Sequence, residues 1–201
     1  MNKLLTYRVL ALFAFLSMIY TSSVHAEAKT ATVEENKEIE PSTEQNNAKK
    51  GSDNVSYVQI SSYITQTPTS GVGSSVKMEI VDAMKGFEHS SDKRKLICKQ
   101  KGLYFAIASG QVGAANPGAL GYVDCWFMKN GESLSNSNNR QTINSSSYTG
   151  CLISQFIMDL DVGDSLEVVF SASGPSLGFI YIKPDNEPGI PSFTLSMNQI
   201  Q

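Results

Sequence analysis

Leu103-Tyr104-Phe105-Ala106-Ile107-Ala108 is the stretch that decides the fold. Leu103, Phe105 and Ile107 alternate with Tyr104, Ala106 and Ala108, a period of two that places the two sets on opposite faces of a β-strand. The same alternation recurs along the chain. Val123, Cys125 and Phe127 share one face of a second run, opposite Tyr122, Asp124 and Trp126. Lys129-Asn130-Gly131-Glu132 then reads as a hairpin turn, because Asn and Gly tolerate positive φ. Phe156, Met158 and Leu160 lie on one face before the turn at Val162-Gly163-Asp164, and Leu166, Val168 and Phe170 follow as another strand. Gly178 to Lys183 and Phe193 to Ile200 close the series, with Pro184, Pro188 and Pro191 forbidding regular structure between them. Residues 76–87 fit either a short amphipathic helix or a strand, and the alternation of Val76, Met78 and Ile80 favours the strand. Short antiparallel strands separated by frequent turns predict an all-β sandwich or jelly roll over residues 55–201.

Outward from this domain the composition changes. Lys3 and Arg8 precede an uncharged apolar run from Val9 to Tyr20, and Val24-His25-Ala26 offers a small-residue cleavage site, so residues 1–26 read as a signal peptide. The run falls short of the ~20 apolar residues that a transmembrane helix requires. Residues 27–54 are rich in Glu, Lys, Asn, Thr and Ser and read as a disordered acidic spacer, too poor in large apolar residues to offset the entropy of ordering. The expected address is therefore secreted, extracellular or periplasmic. Loss of the leader's two positive charges leaves 14 basic against 19 acidic side chains. That balance argues against a phosphate-binding surface and nucleic acid as a partner.

The residues offer little for catalysis. His89 is the one histidine beyond the leader and lies in the polar stretch Glu88-His89-Ser90-Ser91-Asp92. Cys98 sits beside Ile97 at the start of an apolar strand, where a buried thiol behaves as a small hydrophobe. No enzyme is expected, and no cofactor. Asp159, Asp161 and Asp164 raise the question of calcium, since hard cations take clustered carboxylates; Asp161 and Asp164 equally suit a turn around Gly163. Cys98, Cys125 and Cys151, spaced 27 and 26 residues apart, contain no Cys-x-x-Cys pair and speak against zinc. In an oxidising compartment an odd count implies one bridge and one spare thiol.

Cys98-Lys99-Gln100-Lys101-Gly102-Leu103-Tyr104-Phe105 resembles the entry into the central strand of the complement C1q globular head. Cys125 before Lys129-Asn130-Gly131, Cys151 before the strand ending in Leu160-Asp161-Val162-Gly163-Asp164, and the apolar Leu166-Glu167-Val168-Val169-Phe170 extend the resemblance over roughly residues 55–201. The resemblance implies a jelly roll of the C1q and tumour necrosis factor type, trimeric and binding ligands through exposed loops. It further implies a disulfide between Cys125 and Cys151, with Cys98 an unpaired buried thiol.

Assembly is also suggested by strands that are apolar on both faces. Phe179 and Tyr181 oppose Ile180 and Ile182, and both faces of the Leu103 strand lack charge, so a second layer of cover is needed beyond the domain's own core. The expectation is a homotrimer with Tyr104, Phe179 and Tyr181 near the contact. The Asn- and Ser-rich residues 136–150, carrying Arg140 and Tyr148, have the composition of a loop that binds a protein or glycan. The competing reading is a structural protein whose jelly-roll trimers pack into a surface layer. Asn54-Val55-Ser56 and Asn144-Ser145-Ser146 are glycosylation sequons, meaningful only on a eukaryotic secretory route.

Overall fold

The computed structural model describes residues 55–145 and 147–201. The proposed leader and the whole of the spacer, residues 1–54, lie outside the described residues. Within them the chain forms thirteen strands and no helix: β1 (Tyr57–Ser62), β2 (Ser74–Ser75), β3 (Ile80–Lys85), β4 (Phe87–His89), β5 (Lys95–Cys98), β6 (Gly102–Ala114), β7 (Gly121–Lys129), β8 (Glu132–Ser133), β9 (Asn139–Ile143), β10 (Gly150–Leu160), β11 (Ser165–Ala172), β12 (Leu177–Phe179) and β13 (Phe193–Gln199). The ambiguous segment 76–87 is therefore largely extended, although Ile80 faces solvent while Val76 and Met78 are buried.

The strands form two antiparallel sheets. The first runs β10-β6-β13-β1-β3, with β12 pairing the far end of β6; the second runs β4-β5-β11-β7-β8, with β2 on β11 and β9 on β7. From β5 onward the chain passes from the second sheet to the first at β6, back for β7 to β9, then alternately through β10, β11 and β12, with β13 in the first sheet. This crossing is the strand order of a jelly-roll sandwich. The β7–β8 connection is the tight hairpin that the sequence signals, with Asn130 at φ 54° and Gly131 at φ 84°.

Alternation fixes two faces for each strand, and packing chooses which one is buried. On β7, Val123, Cys125 and Phe127 point inward; on β10, Leu152, Met158 and Leu160 do; on β11, Leu166, Val168 and Phe170 do. On β6 the small residues take the core side. Tyr104, Ala106, Ala108 and Val112 are fully buried, whereas Leu103, Phe105 and Ile107 face outward and stay partly exposed. The space left by the small side chains is filled by rings from other strands. Phe179 stacks on Phe170 at 4.7 Å between centroids and lies 5.2 Å from Phe193. Gly110 makes this possible, because a Cβ there would lie 2.1 Å from Phe179 Cε1.

This arrangement corrects two expectations. Tyr104 and Phe179 are core residues with no exposed surface, so neither is available to a neighbouring subunit. Tyr104 packs edge-on against Phe87 at 5.1 Å and donates its hydroxyl to the Gln100 carbonyl at 2.6 Å. Tyr181, the third proposed contact, keeps partial exposure and packs edge-on against Tyr63 at 5.6 Å.

The second correction concerns the cysteines, which are all free. Cys125 points into the core from the second sheet, while Cys151 is exposed on the outer face of the first, its Sγ 2.9 Å from Ser109 Oγ. Side chains directed to opposite sides of different sheets cannot be bridged without rebuilding a strand. Cys98 is also buried, donating to the Gln100 carbonyl at 2.9 Å. Burial pushes the thiols of Cys98 and Cys125 upward, which holds both in the protonated form.

Candidate functional site

A pocket of about 370 Å³ opens on the outer face of the second sheet. Its floor comes from β7 and β11. Asp124 and Trp126 are outward residues of β7, and Ser171 stands directly across from Asp124 on β11. Its wall is the loop between β8 and β9, which presents Ser135, Asn136 and Asn138.

The loop is held by a residue that alternation alone does not single out. Ser137 is fully buried; its hydroxyl accepts the Phe127 amide at 3.0 Å and donates to the Leu134 carbonyl at 2.7 Å. The Ser137 carbonyl in turn accepts the hydroxyl of buried Ser154 on β10 at 2.6 Å. One inward-turned serine thus pins the loop to both sheets. Its neighbours Asn136 and Asn138 remain exposed, with Asn136 in the left-handed region at φ 65°.

Asp124 is not the exposed carboxylate that its position suggests. It is 7% exposed, because Arg140 on β9 lies across it in register and grips it with two parallel hydrogen bonds, Nε to Oδ1 at 2.7 Å and Nη2 to Oδ2 at 2.8 Å. The guanidinium also lies over the Tyr122 ring, 3.7 Å from its centroid. Such a bidentate pair fixes the carboxylate's orientation and compensates its charge. Trp126 packs its ring edge beneath Gly73, where an added Cβ would approach the indole to 3.1 Å. The indole Nε1 is shielded and has no protein acceptor.

The other candidates are dispersed. Tyr148 is half-buried against the core, and its backbone lies by Gly113 of the first sheet, so it does not join Arg140 in one site. His89 ends β4 with both ring nitrogens shielded and without a partner, and burial together with Lys93 holds its imidazole below the usual histidine range. Asp164 accepts from Asn130 Nδ2 at 2.7 Å and from the Asp161 amide at 2.8 Å, and it pairs with Lys129 at 2.7 Å. Those partners, Lys129 first, bring its carboxyl down to about 2. Asp161 pairs instead with Lys101 at 2.8 Å. The carboxylates around Gly163 are therefore engaged in a turn, and among the described residues no group of His, Cys, Asp and Glu is gathered for a metal.

A larger recess of about 750 Å³ lies where β6 starts and β10 ends. No aromatic ring lines it, and its one cation, Lys101, pairs with Asp161, while Asp159 adds a second carboxylate to the lining. A second surface feature is apolar. The outward row Leu103, Phe105 and Ile107 of β6 lies beside Ile153 and Ile157 of β10, which are 54% and 55% exposed, with Ile157 directly opposite Phe105.

No protein-family model matches the chain, and no curated protein matches it. Among solved structures it is similar to the globular domain of zebrafish complement 1qA, with 13% sequence identity and a TM-score of 0.49. The match covers 73% of this chain and 96% of the zebrafish domain.

Proposed function

We propose that this chain is a secreted, non-catalytic recognition head that assembles as a homotrimer and binds a protein or glycan through the loops and outer face of its second sheet. The observation that carries the reading is the contrast between the two outer faces. On the first sheet an uncharged row of Leu103, Phe105 and Ile107 adjoins exposed Ile153 and Ile157, a surface suited to burial against copies of itself. On the second sheet the outer face is polar, with ion pairs at Lys95–Glu167 and Arg140–Asp124 and a loop-walled pocket.

The apolar face takes the place of Tyr104 and Phe179 as the subunit contact, while Tyr181 stands outside this row. Export is supported by the leader-like residues 1–26. A non-catalytic role is supported by the burial of Cys98 and Cys125 and by the shielded ring of His89, which leave no activated thiol beside a histidine base among the described residues. Sedimentation of the chain lacking residues 1–26 tests the assembly. A species of three copies at micromolar concentration is expected, dissociating in Ile153→Asp and Ile157→Asp, each of which places a charge on the contact face. A monomer at that concentration refutes the reading, and growth beyond three copies with rising concentration marks a layer-forming protein instead.

A further inference from the structure

We infer that the pocket over Trp126 is a binding site for a neutral carbohydrate, a mono- or disaccharide unit of a larger glycan. The inference rests on the recognition-head reading and names the ligand class of that head. Four features of the pocket point to this chemistry.

The first is size. About 370 Å³ lies at the small end of the ~300–1,000 Å³ range of small-molecule sites. The second is the floor. Trp126 is an aromatic that lines the pocket, with an apolar ring system that can stack on the C–H face of a sugar ring, while its shielded N–H faces away from the ligand. The third is the wall. Ser135, Asn136, Asn138 and Ser171 supply hydroxyls and amides that both donate and accept, and this mixture matches the hydroxyl groups of a sugar, which also do both. Ser137 holds the loop in place, so little ordering is left for binding to supply.

The fourth feature separates a neutral ligand from a cationic one. Trp126 beside a carboxylate is an arrangement that otherwise suits an ammonium group. Here Asp124 is already matched by Arg140 through both oxygens, so the pair brings no uncompensated charge to the pocket. Each Asp124 oxygen retains a lone pair, and a fixed carboxylate is a strong acceptor for a sugar hydroxyl. The ion pair thus works as an oriented acceptor rather than as a cation trap.

Trp126 is the chain's one tryptophan, so its emission reports this pocket directly. The experiment titrates the chain lacking residues 1–26 with glucose, galactose, mannose, N-acetylglucosamine, lactose and maltose, and with choline as the cationic control. A saturable change in emission with at least one neutral sugar is expected, at a Kd on the order of 1 mM and insensitive to salt. Asn138→Ala, at an exposed position, should keep the melting temperature and weaken that sugar at least tenfold. Asp124→Asn should weaken it further. No saturable response to any sugar up to about 100 mM, saturation by choline alone, or unchanged affinity in Asn138→Ala would overturn the inference. Sedimentation of the same samples keeps the two readings separate. A trimer without a sugar response removes the pocket assignment and leaves the head, whereas a sugar-binding monomer removes the trimer and leaves the pocket.

Discussion

Gly110→Ala is a one-methyl change whose cost depends on a residue 69 positions away in sequence, which makes it a stringent test of the core. The added Cβ would lie 2.1 Å from Phe179 Cε1 and 2.4 Å from Cδ1, far inside van der Waals contact. The Phe179 ring cannot simply swing aside, since Phe170 stacks on it at 4.7 Å and Phe193 lies at 5.2 Å. Overpacking of this kind costs about 1–3 kcal/mol. Phe179→Ala alone leaves a cavity and costs about 3–5 kcal/mol, a large part of a total stability of about 5–15 kcal/mol. In the double variant the ring is gone and the new methyl enters the vacated space. The cost of Gly110→Ala should then fall to about zero, a coupling of about 1–3 kcal/mol between the two positions. Urea unfolding followed by Trp126 emission reads this, because each kcal/mol moves the midpoint by about 0.3–1 M. Protein concentration must be held constant across variants, since assembly adds a concentration-dependent contribution. Equal cost of Gly110→Ala in both backgrounds would refute the packing argument. Phe179→Ala that changes the assembly but not the midpoint would return Phe179 to the subunit contact.

Three further outcomes follow from other parts of the domain. Ser137→Ala leaves the buried Phe127 amide without its acceptor, a loss of about 1–3 kcal/mol, and urea midpoints should fall accordingly while the emission of neighbouring Trp126 shifts. Titration with a thiol reagent should find Cys151 reactive in the folded protein, and Cys98 and Cys125 reactive only after unfolding in the absence of reductant; one reactive thiol in total after unfolding would establish the bridge that the structure lacks. His89 should make the domain less stable on mild acidification. Its folded value is held below the ordinary ~6.5, so below that pH the unfolded chain takes up a proton that the folded chain refuses, and stability falls as pH drops through the folded value. Thermal melts between neutral and mildly acidic pH should show a decline that is reduced in His89→Gln, and identical pH profiles for the two proteins would rule the histidine out.

Much of the architecture was legible because turn chemistry and period-two patterning are local. Asn130-Gly131 announced its hairpin, and Val123, Cys125 and Phe127 announced their shared face. What alternation does not supply is the sign of a face when both sides are apolar. On β6 the larger residues Leu103, Phe105 and Ile107 face outward, and Ala106, Ala108 and Gly110 face inward, because Phe170, Phe179 and Phe193 arrive from distant strands to fill that space. The same non-local packing placed Tyr104 and Phe179 in the core and separated Cys125 from Cys151. The pocket was visible only in fragments. Trp126, Asp124 and Arg140 could each be noticed, but pairing of Arg140 with Asp124 follows from the β7–β9 register, and the role of Ser137 follows from its burial. The Asn- and Ser-rich composition pointed toward this loop without saying which residues turn inward.

The two outer faces differ for a reason that lies in their charge chemistry. On the second sheet, the outward carboxylates Asp124 and Glu167 are only 7% exposed each, and both are matched within the same face, by Arg140 and by Lys95 with the Ser75 hydroxyl. A face that satisfies its own charges needs no partner to cover it and can present polar groups to a ligand. The central part of the first sheet's outer face has the opposite character: Phe105 and Ile107 stand against Ile157 and Gln155, with Asn198 and Ser196 on their other flank, and no charged residue occupies those positions. Water gains nothing specific from such a surface, and covering it releases apolar area at roughly 25 cal/mol per Å². Assembly through the first sheet would therefore leave the Trp126 pocket on the opposite side of the sandwich, open in each copy. Several weak sugar contacts held at fixed spacing then gain by multivalency what a small pocket cannot supply alone. A charge introduced at Ile157 should accordingly weaken binding to a surface displaying many sugars far more than binding to the same sugar free in solution. Equal losses in the two assays would show that the pocket and the assembly act independently.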